Sequence, residues 1–572
     1  MKITFNTAAK ERKTDFPAES FHITTCDFGR TIVSNFYELE QGEKLHGDVK
    51  QFFRLSPLVV PTYGNAHVVT RAFCVPFRVV TPNWEAFWED TADESLKKVQ
   101  PYVTNDQLIK IFTNQMFSAG LSTAGDNGSY DFCLYENGTT QYYLLTEKGR
   151  WLYQILLGLG FSINWSMQDT TKLELRPVLA FMRCCYDWLY PSRWVMNLGI
   201  GGIFTHDSWD EGDIQIIFQA LLDLLFVPYM QDNFNSAWVT FNSPSGNLES
   251  DIAGQSAYNP ANGMHQVAYG TSSIGIKNAG SENTLTAYGL RLMQAFSDII
   301  TRDNLAGSRF LERVKAAKGY VTQEQKHSYS EFLKSFGHSI NLMDVTATTG
   351  NENQLLGEQA AKGYVNGDDK FVFEAKEHCY IIFITQVMPS IGYYQGRKPW
   401  TIYKDSRFKY YREELDSVGF EPLRNDQLFA EFLHTNGVWS EYIANGGKPD
   451  GIFGFQPRYN EYKHGYDFMT GDFRLRSRAI GAPSYHTMRM LPQPRANTPL
   501  ANNADFLRVD DQYKRIFAVD PTNPAGAKYD HFIGYFSFNL KKSSHKLSVS
   551  ESIPMFNKSG REVTTSYEGT QL

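Results

Sequence analysis

The tripeptide Gly367-Asp368-Asp369 is the first place in this chain to look for chemistry, because a glycine followed by paired carboxylates holds metal in many polymerases. Asn366 precedes it, and Tyr364-Val365 and Phe371-Val372-Phe373 flank it. Asn-Gly between two β-type runs is a strong short-range hairpin signal. No second acidic motif is recognisable, so the spacing predicts a turn here and not a metal centre. Gly357-Glu358-Gln359-Ala360-Ala361-Lys362-Gly363 is superficially like a phosphate-binding loop. It lacks the Gly-Lys-Ser/Thr ending that aims a lysine and a hydroxyl at phosphates, and reads as a loop with ordinary surface charge. Thirteen histidines are scattered without a metal-binding pair, and His206-Asp207 and His464 near Asp467 read as surface polar clusters. No Gly-x-Ser-x-Gly elbow is present. These residues predict no enzyme, no cofactor and no metal.

The basic residues are the other candidates. Arg474, Arg476 and Arg478 alternate in Phe-Arg-Leu-Arg-Ser-Arg and would project from one side of an extended segment toward phosphates. The ordinary alternative is a solvated or ion-paired strand face. Lys541, Lys542 and Lys546 form a second cluster open to the same two readings. Arg407, Lys409 and Arg412 lie among Phe408, Tyr410 and Tyr411, a mixture that suits either base stacking or a Tyr- and Arg-rich protein interface. Against them stands a net charge of −7, with 55 basic and 62 acidic residues, so there is no global electrostatic footprint for nucleic acid.

The elements that position these residues come from an aromatic-rich chain of 572 residues, 15% Phe, Trp and Tyr, which favours a β-rich core and adhesive interfaces. Cys26, Cys74, Cys133, Cys184, Cys185 and Cys379 have no CxxC spacing and too low a density for a disulfide framework. Reduced thiols and cytoplasmic folding are expected. The apolar stretch from Ile214 to Val227 is interrupted by Gln215, Gln219 and Asp223 and is shorter than the ~20 residues a bilayer needs. It predicts a buried helix, with no membrane insertion.

Along the chain, residues 1–20 read as a loosely ordered arm. Asp48 to Trp88 reads as two extended apolar segments joined near Pro61 and Gly64, then a short amphipathic helix. Val69, Phe73, Val75, Phe77 and Val79 fall on one side of the second segment under the period of a strand. Thr146 is placed to cap a helix through Leu157, and Pro177 stands where a first helical residue would. Residues 240–283, dominated by Gly, Ser, Asn and Ala, read as a long exposed loop. Apolar stripes follow at Leu285, Leu292, Phe296 and Ile299, and at Phe310, Leu311 and Val314. Ser328 and Glu331 have capping-box spacing for a helix through Phe336, stopped by Gly337. His378 to Pro389 suits a strand buried on both faces, and Phe532, Phe536, Phe538 and Leu540 alternate as in a strand with one wet face. The expectation is one discontinuous domain over 21–572, its core strands drawn from about 21–90 and 370–550. Helical or irregular insertions occupy about 91–365. Phe73, Phe77, Phe532, Phe536 and Phe538 are expected to share one core.

Four segments, in order, carry a family resemblance. Phe53, Arg54, Leu55, Pro57, Leu58 and Pro61, followed by Phe73, Val75, Pro76, Arg78, Trp84 and Trp88, resemble the hydrophobic strand region of microvirus major capsid proteins, especially the gokushovirus-like branch. Glu312, Arg313, Gly319 and Tyr320 match a helix-and-turn motif of that family, with Lys318 in place of the first glycine of its pair. Phe453, Gly454, Gln456, Arg458, Glu461 and Tyr462 match another, with Tyr459 and Asn460 where Trp and Ala are commoner. The terminal Tyr535-Phe-Ser-Phe-Asn-Leu run resembles the family's last strand, though the proline-rich ending is replaced by Lys546, Leu547, Ser548 and Val549. The resemblance implies a viral jelly-roll β-sandwich whose work is self-assembly into an icosahedral shell, of T=1 geometry, around a small single-stranded DNA genome of a bacteriophage. It further implies virion localisation after assembly in the host bacterial cytoplasm, a small basic DNA-binding protein and other minor virion proteins as partners, and a host cell-surface receptor met by the outer loops. A jelly-roll carbohydrate-binding protein is the alternative, using exposed Tyr and Trp.

Overall fold

The computed structural model describes residues 13–546 except 59–64, 82–83, 85–86, 88–99, 122–129, 137–138, 166–168, 191–199, 206–208, 226, 239–294, 296–297, 300, 304, 347–358, 405, 417–418, 429, 431–451, 472–503, 510–512, 514–516 and 518–529. Alternating apolar residues near the N-terminus build β1 (Thr14–Pro17), β2 (Ser20–Cys26), β3 (Thr31–Leu39), β4 (Lys44–Leu55) and β5 (Ala66–Pro76). Short strands β6 (Tyr102–Thr104), β7 (Ser118–Leu121), β8 (Phe132–Glu136), β9 (Thr139–Leu145) and β10 (Lys172–Glu174) interrupt the helical region that follows. The main strands resume with β11 (Glu331–Ser339), β12 (Asn341–Thr346), β13 (Gln359–Glu374) and β14 (Cys379–Pro389). Then come β15 (Phe420–Arg424), β16 (Ile452–Pro457) and β17 (Phe532–Ser544).

Two antiparallel sheets carry the architecture. One has the order β1-β17-β4-β13-β12, with β2 also on β17; the other is β11-β5-β14-β3. Strand pairing follows a nested rule: β2 with β17, β3 with β14, β4 with β13, and β5 with β11. First pairs with last and the innermost two pair with each other, which is the wrapping of a jelly roll. The arm expected to be loose is strand from Thr14 onward. β17 runs on to Ser544 and offers an edge that Thr14–Pro17 occupies.

The centre of the four-stranded sheet is buried on both faces, with all eleven residues of β14 buried, while its edge strand β11 is mostly exposed. Ile381, Phe383 and Val387 point into the space between the sheets, where they meet Val49, Phe53, Phe536 and Phe538. Ile382 and Ile384 point the other way, into a second core with Phe73, Val75 and Phe77. That core is closed by the helices Asn105–Thr113, Glu147–Gly158, Arg176–Cys184 and Glu211–Leu224. The molecule thus has three layers: sheet, sheet, helices. Contrary to the expectation from the sequence, Phe73 and Phe77 do not share a core with Phe532, Phe536 and Phe538. Adjacent strand residues face opposite sides, so Ala72 and Cys74 fill the inter-sheet core and Phe73 and Val75 the helical one.

Local chemistry sets several boundaries. The Thr146 hydroxyl accepts from Gly149 N–H at 3.2 Å, and Pro177 lies in the first turn of its helix. Cys184 and Cys185 are fully buried small residues. Among the described residues no helix is long and apolar enough to cross a membrane.

Two local expectations fail. The capping box at Ser328 and Glu331 does not form, because the Ser330 N–H and hydroxyl donate to buried Asp187 at 2.9 and 2.8 Å. The segment after it pairs with β5 as a strand of the sandwich. Nor is Asn366-Gly367 a hairpin: it lies inside β13, paired with Phe52 and Gln51 of β4. The glycine leaves room for the His338 ring, which a Cβ there would approach to 2.4 Å and displace. The region 91–365 is therefore not wholly an insertion, and it also contains the small sheet β7-β9-β8.

Candidate interaction surfaces

The acidic pair of the Gly-Asp-Asp motif is committed to structure. His338 Nε2 lies 2.6 Å from Asp369 Oδ2, joining β11 of one main sheet to β13 of the other, and Asp368 faces Lys50 on the neighbouring strand β4 at 3.8 Å. No cluster of three or more metal-binding side chains occurs among the described residues. β13 begins at Gln359, inside the loop-like glycine stretch, and the residues before it lie outside those described.

The basic candidates separate. Arg474, Arg476 and Arg478 lie outside the described residues, as does the loop 240–283. Lys542 donates to buried Glu43 at 2.7 Å, and Lys546 bridges Glu43 and Glu40 at 3.1 and 3.0 Å. Burial alone would raise the Glu43 carboxyl; the hydrogen bonds from Lys542, the Glu40 backbone, Ser544 and Lys546 outweigh it and hold the pKa at about 2. Lys541 is exposed on the outer face of β17.

That outer face is the first unexpected surface. Strand register sets Ile23, Tyr535 and Phe52 in one row across β2, β17 and β4, each at least 40% exposed. Ile533, Arg54 and Tyr364 form the next row, and Phe21 stands beside Ile23 on β2 at 72% exposure. The sequence signal was available, because the residues between the core-facing Phe532, Phe536 and Phe538 include Ile533 and Tyr535. A cleft of about 1170 Å³ opens at the rim of this sheet, between β2, β17 and the helix Glu147–Gly158. Asp27, Asp131, Glu147 and Asp530 outnumber Arg30 and Arg150 there, which disfavours a phosphate ligand.

The second surface joins residues 398–412 to 458–468. Trp400, Tyr403, Tyr410, Tyr411, Tyr462 and Phe468 are between 49% and 85% exposed. The rings are knit together by cations: Lys398 lies 4.8 Å from the Phe468 ring, and Lys404 lies 5.0 and 4.8 Å from those of Tyr410 and Tyr462. Lys404 also donates to Glu461 at 3.0 Å, and Trp400 meets Tyr466 edge to face at 5.3 Å. The support is the β15–β16 pair, to which Trp238 bonds through Phe455. Tyr459, buried beneath the rings, has φ 59°, a left-handed backbone unfavourable for a side chain of that size. Arg407, Lys409 and Arg412, read from the sequence as one mixed cluster with their aromatic neighbours, lie on this surface and are exposed.

Comparison with known proteins agrees with the resemblance read from the sequence. A family model described as capsid protein (F protein) matches residues 4–113 and 233–553. The unmatched stretch holds most of the helical layer. Capsid protein VP1 of Bdellovibrio phage phiMH2K is 20% identical over 475 residues, covering 76% of this chain and 78% of that protein. Capsid protein VP1 of Chlamydia phage 1 is 25% identical over 239 residues, covering 41% of this chain and 37% of that one. The family is one of shell proteins and not of enzymes, and the carbohydrate-binding alternative is not favoured. With three quarters of its length matched, the chain belongs to the phage capsid protein (F protein) family.

Proposed function

We propose that this protein is the major subunit of an icosahedral T=1 shell that encloses a small single-stranded DNA genome. On this reading residues 21–572 fold as one jelly-roll unit, the particle assembles in the bacterial cytoplasm, and the loop 240–283 reaches outward to a host cell-surface receptor. The observation that carries it is the combination of a jelly-roll body with large apolar side chains left exposed on the outer face of its larger sheet. Ile23, Tyr535 and Phe52 are in register and exposed, an arrangement that favours contact with another macromolecule.

Contact with DNA is patchy on this reading. Net charge is −7, and of Lys541, Lys542 and Lys546 the last two are spent on Glu43 and Glu40. Lys541 and the alternating Arg474, Arg476 and Arg478 are the proposed phosphate contacts, and a small basic protein supplies the remaining neutralisation alongside other minor virion proteins. Purified particles should carry nuclease-protected single-stranded DNA, whereas isolated subunits should bind an oligonucleotide weakly and less so with added salt. Tight, salt-insensitive binding by the chain alone would contradict the patchy contact, and particles carrying duplex DNA would contradict the genome assignment.

A further inference from the structure

The geometry points to the aromatic and cationic surface of residues 398–412 and 458–468 as a subunit–subunit contact, occupied in the shell by a second copy of this chain. The inference rests on the reading of the chain as a shell subunit and adds where one contact lies. Tyr, Trp and Arg are the residue types enriched in the cores of protein interfaces, and six large aromatic side chains are exposed together here. Tyr403, at 85% exposure, presents nearly all its ring to solvent in the lone subunit.

Charge decides between a protein and a nucleic acid as the occupant. Residues 398–412 and 458–468 hold seven Lys and Arg against three Asp and Glu, and the adjoining turn Glu413–Asp416, held to this surface by the pair between Lys463 and Asp416, adds three more acids. Lys404 and Lys463 are already bonded to Glu461 and Asp416 at 3.0 and 2.5 Å. A surface with a net charge of +1 has little attraction for a phosphate backbone, which rewards unpaired positive charge. It suits a partner of mixed sign, and a chain with 55 basic and 62 acidic residues is one. The segment beneath is under stress in the isolated subunit. Tyr459 has a left-handed backbone, and among the described residues the Tyr459 hydroxyl, Arg458 Nε and His464 Nε2 are buried without a hydrogen-bond partner. Docking that lets Arg458 and His464 turn outward to a partner relieves part of that stress.

The test is assembly of the full chain carrying Trp400→Ala and Tyr403→Ala together, read by sedimentation and negative-stain microscopy. Both side chains are exposed, so the thermal unfolding midpoint should match the parent while particle yield falls at least tenfold. The pair Trp400→Phe and Tyr403→Phe should restore assembly. A parent chain that forms no particles would count against the shell reading; parent and Ala variant assembling alike would overturn only this contact. An Ala variant that assembles normally but loses oligonucleotide binding would make the surface a nucleic-acid site and overturn the inference. If the double variant misfolds, Tyr403→Cys supplies the second measurement. Maleimide labelling of that cysteine, above the parent's background, should drop at least tenfold from free subunits to particles, and equal labelling in both would overturn the proposal.

Discussion

Phe53 of β4 and Phe536 of β17 meet edge to face with ring centroids 5.2 Å apart, and neither exposes any surface. Their strands come from opposite ends of the chain, and the contact is part of what closes the inter-sheet core. Room for it depends on Gly534, where a Cβ would lie 2.9 Å from the Phe53 ring. Edge-to-face pairs of this kind add about 0.5–1.5 kcal/mol to the burial of the rings themselves.

Phe536→Ala should cost about 3–5 kcal/mol through lost transfer energy and a residual cavity. That is a large share of the ~5–15 kcal/mol that holds a typical domain folded. Soluble yield and the unfolding midpoint should both fall sharply. Ser537→Ala, on the other face of the same strand, should shift the midpoint little. Equal behaviour of the two variants would remove β17 from the core.

Gly534→Ala should also destabilise, by about 1–3 kcal/mol, because the added methyl forces the Phe53 ring out of its place. The effect should shrink in a Phe53→Leu background, where the ring is gone. Additive effects in a denaturant-melt double-mutant cycle would show that the steric account is mistaken.

Phe73 and Phe536 belong to different cores, so truncating them should be independent. The double variant should equal the sum of the single ones within about 0.3–0.5 kcal/mol. A larger coupling would mean that the helical layer and the inter-sheet core unfold as one packed unit.

Acid should weaken the end of β17. Glu43 has a folded pKa of about 2, below the usual ~4.3 of a glutamate. A depressed carboxyl contributes stability that is fully present above the unfolded value and is lost as pH falls through the folded one. Unfolding midpoints should therefore drop between about pH 4.3 and 2 for the parent. Glu43→Gln should start lower at neutral pH and show a shallower fall across that window, a difference that thermal melts at several pH values would reveal.

Asp187 ties the helical layer to the four-stranded sheet, accepting from Arg183 at 2.9 Å and from Ser330 twice. Removing one partner of a buried charged network typically costs about 3–5 kcal/mol. Asp187→Ala should lose that much in urea unfolding, and a change below about 1 kcal/mol would place the anchor of β11 elsewhere.

The same residue explains where reading the sequence stopped. Ser328 and Glu331 have the local spacing of a helix start, but a carboxylate far off in sequence claims Ser330 and hands the segment to β5. Asn366-Gly367 carries the local chemistry of a turn, yet β4 offers eleven residues of partner edge to β13, and the glycine leaves room for the His338 ring. Where local and tertiary signals agree, the sequence was readable. The unbroken apolar run of β14 required burial on both faces, Thr146 and Pro177 marked helix starts, and the alternation of β17 separated Phe536 from Ser537. Periodicity could not say which core Phe73 enters, because a strand buried on both sides has no polar face to orient it. The aromatic cluster after Lys398 was visible as composition, but its link to residues 458–468 exists only in three dimensions.

Assembly of the purified chain tests the central claim most directly. Expressed alone or with single-stranded DNA and a small basic partner, it should yield closed, uniform icosahedral particles by electron microscopy, with one sharp sedimentation boundary. A folded chain that stays monomeric under all of these conditions would contradict its role as a shell subunit.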